Sequence, residues 1–166
     1  MEMTEKTLYA KGSASSRGAV IRVLPGFDII EGIEEACRKI GIKCGAVVSC
    51  IGSLKEASLM IVALTDSNKV GAVYSEPIVV PGPLQLISAQ GTIGQDEKGE
   101  VMIHLHGSFC NTDGRIYGGH LVRGKNRILI SCETVITEVS DARVVRAYDS
   151  EVEFSLFMST EEGKAL

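Results

Sequence analysis

All three histidines of the 166-residue chain, His104, His106 and His120, fall in one short run, HLHGSFCNTDGRIYGGH. On a strand, side chains at i and i+2 share a face, so His104 and His106 present two imidazoles side by side while Leu105 points the other way. Asn111-Thr112-Asp113-Gly114 offers a chain reversal, and the strand after it carries His120 back toward the pair. Three neutral imidazole nitrogens arranged like this can hold a divalent transition metal and leave a coordination position for water or substrate. Imidazole suits Zn, Fe, Ni, Cu and Co alike, so zinc is expected on availability alone. Three unrelated polar residues on a half-exposed sheet face would not account for every histidine lying in one predicted hairpin.

Other residues near these three have chemistry to offer. Ser108 and Cys110 share the strand parity of His106, although a cysteine among apolar neighbours belongs more naturally to a core. Glu133, inside the apolar strand Ile128 to Ile136, is the candidate catalytic carboxylate, as base or as orienting partner for a ligating histidine. Gly118 and Gly119 would allow close backbone approach, to a bound ligand or to a neighbouring strand. Around them Arg115, Arg123, Lys125 and Arg127 form a locally basic stretch. Gly118, Gly119, Arg115 and Arg123 are therefore the candidates for binding a small anion.

These side chains need a scaffold, and the apolar pattern predicts an α+β domain made of a mostly antiparallel sheet and one main helix. Residues 1–18, including the SASSRG stretch Ser13 to Gly18, read as a flexible N-terminal segment. Residues 19–158 read as a single domain, and 159–166 as a tail. Ala19 to Leu24 is apolar enough for a strand and Pro25-Gly26 stops it. From Asp28 the apolar positions Ile29, Ile30, Ile33, Ala36, Cys37 and Ile40 recur at three and four. Asp28 with Glu31 has the spacing of a capping box, and Gly41 supplies the stop. Strand character then dominates Gly45 to Leu54, Ala57 to Thr65, Ala72 to Val80, Leu84 to Ile93, Val101 to Phe109, Ile116 to Val122, Ile128 to Val139 and Val152 to Met158. Turns are expected at Asp66-Ser67-Asn68, Pro81-Gly82-Pro83, Asp96 to Gly99, Asn111 to Gly114 and Gly124-Lys125-Asn126.

Composition narrows the function classes. With 45% hydrophobic and 23% charged residues, the chain has the ordinary globular balance. A net charge of −4 argues against a stand-alone nucleic-acid binder, whose affinity rests on cationic side chains displacing counterions. No apolar run approaches the roughly 20 residues needed to span a bilayer, and MEMTEKTLYA is too polar for a secretory signal, so a cytoplasmic location is expected. Cys37, Cys44, Cys50, Cys110 and Cys132 are odd in number and lack any CxxC pair, as buried reduced thiols do.

The run IHLHGSFCNTDGRIYGGHL resembles the central signature of the PPC (plants and prokaryotes conserved) family. LPGFDIIEGIEEACRKIGIKCGAVVSCIGSL, GPLQLISAQGTI and ISCETVI agree with the same family in order. The resemblance covers roughly residues 19–157. It implies a trimer-forming α+β domain and, by analogy with prokaryotic members, metal ligation by His104, His106 and His120. Plant members join the domain to an AT-hook, a peptide absent from this sequence, so the resemblance implies no DNA binding by this chain on its own. The Gly-Arg-Phe-Glu-Ile-Leu segment of plant members corresponds here to Gly82, Pro83, Leu84, Gln85, Leu86 and Ile87, which keeps the scaffold but not the charges. A cupin would also use HxH with a later histidine, but it adds a glutamate where this chain has Gly107-Ser108-Phe109-Cys110.

Overall fold

The structure, a computed structural model, describes residues 13–159. Its strands and helix, in chain order, are β1 (Ser13–Val23), α1 (Ile29–Ile40), β2 (Gly45–Met60), β3 (Val62–Leu64), β4 (Ala72–Tyr74), β5 (Ile78–Gln95), β6 (Val101–Cys110), β7 (Ile116–Leu121), β8 (Ile128–Ser140), β9 (Val144–Asp149) and β10 (Phe154–Ser159). Eight strands form one sheet in the order β1-β8-β2-β7-β6-β5-β9-β10, and β3 pairs with β4 apart from it.

Two strands run much longer than the sequence pattern suggests. β2 joins the two expected segments through a register shift at Leu54/Glu56, and β5 runs straight through Pro81-Gly82-Pro83. These prolines sit where β5 pairs only with β2, because its pairing with β6 begins at Gln85. One side of β5 therefore needs no backbone donors there, and proline is tolerated. Gly82 is required in this stretch, since a Cβ would lie 2.0 Å from the Lys55 carbonyl oxygen. β5 continues to β6 and β7, and β7 returns to β2 at Leu59↔Leu121 and Met60↔His120. β2, β5, β6 and β7 thus close into a ring, which leaves these four strands little free edge.

The inward face of the ring is the core. β6 contributes Val101, Ile103, Leu105 and the fully buried Phe109, β5 contributes Leu84, Leu86, Ala89 and Ile93, and β2 contributes Leu54, Ala57 and Leu59. Each fully buried Leu or Phe of this kind is worth roughly 1.5–3 kcal/mol relative to exposure. Helix α1 packs against β6, β1 and β8 through Ile29, Ile30, Ile33 and Cys37.

The helix start differs in one detail from a reciprocal capping box. Asp28 Oδ1 accepts hydrogen bonds from the Ile30 and Glu31 amides at 2.9 and 3.1 Å. The Glu31 carboxylate does not reach back; it pairs with Arg123 at 2.9 Å. Gly41 ends the helix in the left-handed region at φ 76°.

Ser13 to Gly18 of the expected flexible segment belongs to β1 and pairs with β8, with Ser13 opposite Ser140 and an irregularity between Ala14 and Gly18. Small residues read as loop, but Gly18 is needed beside β8, where a Cβ would lie 2.9 Å from the Ile136 carbonyl oxygen. Residues 1–12 of the expected flexible segment and 160–166 of the expected tail lie outside the described residues. β9 went unread in the sequence because its six residues carry only a short alternation. Cys37, Cys50 and Cys132 are buried, whereas Cys44 and Cys110 are half-buried, and all five are free thiols. No helix among the described residues is long and apolar enough to cross a membrane.

Candidate metal centre

The alternation of β6 decides where the histidines point. Burial of Val101, Ile103 and Leu105 on the ring's inner face turns Met102, His104 and His106 outward. The β6–β7 hairpin turns at Asn111 to Gly114, with Gly114 at φ 76°, and its register places His120 directly opposite His106. Asn111 Oδ1 stabilises the reversal by accepting from the Asp113 and Arg115 amides. Directly opposed residues share a face, so the three imidazoles meet.

Their ring centroids are 4.8 Å apart for His104–His106 and His104–His120 and 5.4 Å for His106–His120. One ligand nitrogen from each ring lies within 4.8 Å of the other two. A tetrahedral ion with bonds of about 2.0–2.1 Å holds its ligand atoms roughly 3.3–3.4 Å apart, so small ring rotations bring the set to coordination geometry. His104 Nε2 and His106 Nε2 are already 3.0 Å apart. His120 Nδ1 is buried and has no hydrogen-bond partner, which leaves a polar atom that a ligand would satisfy.

Burial and neighbouring charge keep His104 and His120 in their ligating form. Burial pushes the His104 imidazole down to about 4, helped by His120, His106 and Arg146. Burial also lowers His120, with His106 and Arg146 adding to the effect. Both rings are therefore neutral at pH 7, the form that binds metal. Tyr74, from β4, lies against the His120 ring at 5.1 Å and meets Phe154 of β10 edge-on at 5.8 Å. The β3–β4 and β9–β10 hairpins thus wall the histidine face with aromatic rings.

The other sequence candidates are not brought to this point within the chain. Glu133 lies on β8 opposite Ile51 and Arg22 and lines a separate cavity with Ile51, Gln85 and Ile87. Arg123 is held by helix α1, 2.9 Å from both Glu31 and the buried Glu34. Arg115 sits at the far turn, five residues from His120, which is roughly 17 Å along an extended strand. Cys110 pairs with Gln85 and Ile116, four register steps beyond the histidine pair, and is not in the metal-competent group. Gly118 and Gly119 flank His120, but their role is close packing: a Cβ on Gly119 would lie 2.7 Å from the Met60 carbonyl oxygen, and one on Gly118 would lie 3.1 Å from that of Gly107. Arg146 and Tyr74 are what the sequence reading missed. They come from short strands 26 and 46 residues from His120, and no motif links them to it.

Residues 10–140 match the model of the Plants and Prokaryotes Conserved (PCC) domain. The chain belongs to this family. Among solved structures, the PCC chain is similar to a metal-containing protein of Archaeoglobus fulgidus, with 24% identity and a TM-score of 0.75 over 92% of this chain and 99% of that one. It is also similar to a protein of Ralstonia eutropha provisionally described as DNA-binding, with 22% identity and a TM-score of 0.70 over 89% of this chain and 94% of the other. At these identities the likeness establishes the fold. Among curated relatives, a bifunctional protein GlmU of Synechococcus sp. (strain JA-3-3Ab) is 28% identical over 137 residues. The PCC chain matches only 20% of that protein's length.

Proposed function

We propose that this PCC-domain chain binds one divalent transition metal, zinc by preference, through His104, His106 and His120, with a position left open to a small anionic ligand. The carrying observation is the convergence of one nitrogen from each of the chain's three histidines within 4.8 Å. An ion held there would supply a Lewis-acid centre able to polarise an anion. Three further points support the reading. Burial holds His104 and His120 neutral, no fourth His, Cys, Asp or Glu among the described residues joins the group, and a solved relative of the same fold is named metal-containing. Arg123 is paired with Glu31 and Glu34, and Glu133 lines a cavity apart from the imidazoles, so neither joins the three histidines within the chain. We infer binding rather than turnover as the primary activity. DNA binding is the second reading, favoured by the description of the Ralstonia eutropha relative and opposed by a net charge of −4.

The experiment is elemental analysis of untagged protein, compared with His106→Ala. Wild type should carry about one metal per chain, while the variant should lose nearly all of it with its fold intact. Full stoichiometry in His106→Ala would rule out this ligand set.

A further inference from the structure

The notable cation near the histidines is Arg146. It lies on β9 opposite Phe157 of β10, and its guanidinium carbon sits 5.8 Å from the centre of the Phe157 ring. With Met102 it lines a cavity of about 350 Å³ on the outer face of the sheet. Met102 precedes His104 by two residues on the same face of β6, so this cavity adjoins the imidazoles, at a spacing of roughly 7 Å along the strand.

Arg146 is half-buried and, among the described residues, forms no ion pair, whereas Arg123 is paired twice. Asp96, Glu97 and Lys98 border the same cavity. The Asp96 carboxylate is occupied in its own turn, accepting from the Lys98 and Glu100 amides at 2.9 Å. A half-buried guanidinium lying on an aromatic ring and lacking a counter-ion is a ready receptor for an oxyanion, because its planar fork matches a carboxylate. The surroundings suit an organic ligand better than an inorganic one. Tyr74 lies against His120 with Phe154 edge-on behind it, Phe157 underlies Arg146, and Met102 lines the cavity. Nearby acidic residues would also disfavour a dianion such as phosphate, whereas a single carboxylate balances a single guanidinium.

We propose that Arg146 is the specificity-determining anchor for a small organic carboxylate, holding its charged end while the aromatic side chains around the three histidines cover its apolar part. This rests on the metal reading above, which it deepens by naming the ligand class and the residue that selects it. Arg146 takes the place that the sequence gave to Arg115 and Arg123.

The test uses the cobalt-loaded full chain, with metal content measured first and the visible spectrum followed during titration. Acetate and benzoate are the carboxylate probes, imidazole is the neutral one and inorganic phosphate the competing oxyanion. Arg146→Met should keep its cobalt, weaken acetate and benzoate by about tenfold or more, and change imidazole by less than about threefold. Arg115→Met should behave as wild type, and benzoate should bind wild type more tightly than acetate or phosphate. The proposal is overturned by an Arg146→Met protein with full cobalt content whose carboxylate affinities stay within about twofold of wild type, or by carboxylates and imidazole weakening in parallel. Tighter binding of phosphate than of benzoate would also overturn it. A wild-type chain that takes up no cobalt would instead overturn the metal reading itself.

Discussion

Each imidazole of the site has its own neighbourhood. His106 is exposed, His104 and His120 are half-buried, and His120 also carries the unpartnered Nδ1 under the ring of Tyr74. These differences bear on pH. The His104 value falls from an ordinary 6.5 to about 4, so between those values the unfolded chain holds a proton that the folded chain does not. The slope of stability with pH is then positive in that window. This contribution is fully present above pH 6.5, lost progressively as pH falls toward 4, and changes no further below it. Urea midpoints of metal-free protein from pH 7 to 4 should therefore fall more steeply for wild type than for His104→Gln; equal slopes would contradict the burial argument. At this scale the HxH parity and the return of His120 were legible, because β-strand alternation is a short-range rule. The placement of Glu133 on β8 beside another cavity, and of Arg146 on β9 beside Met102, was not, because both depend on which strands become neighbours.

Among the elements, the β7–β8 turn links the helix to the histidine strand. Asn126 donates its amide to Asp28 Oδ2 at 2.7 Å, accepts from the Ser58 amide at 2.9 Å and donates its side-chain NH2 to the Val122 carbonyl at 2.6 Å. Asp28 thus caps α1 with one oxygen and pins the turn after β7 with the other, and both residues are buried. Asp28→Ala removes the cap and strands a buried amide, so it should cost about 2–4 kcal/mol in chemical denaturation. A loss below about 0.5 kcal/mol would show that the network contributes little. The helix was legible because its 3.6-residue period, cap residue and terminal glycine all agree. The lengths of β2 and β5 were not, because glycine and proline mark a turn in isolation but also fit a strand whose one side is unpaired.

For the whole molecule, closure of four strands into a ring leaves β1 and β10 at the ends of the sheet. Large apolar side chains remain outside the core: Val20 is 81% exposed, Ile130 67% and Ile51 51%. Together with the free edges, they are the surface we propose is covered by self-association into a homotrimer. Light scattering at micromolar concentration should give three times the 17.7 kDa chain mass. A monomeric mass would contradict that assembly, and Ile51→Lys should shift the trimer toward monomer. The fold class was legible from period and composition, and the family from its histidine-glycine signature. The closure of the sheet was not, since β7 meets β2 over only two residue pairs.

The central claim is that these three histidines form one metal site with an open position. X-ray absorption spectroscopy of the zinc-loaded chain tests it most directly. The expected spectrum shows about three imidazole nitrogens at roughly 2.0–2.1 Å, with characteristic ring scattering, plus one lighter oxygen or nitrogen donor. A sulfur donor near 2.3 Å, or fewer than two imidazoles, would contradict it.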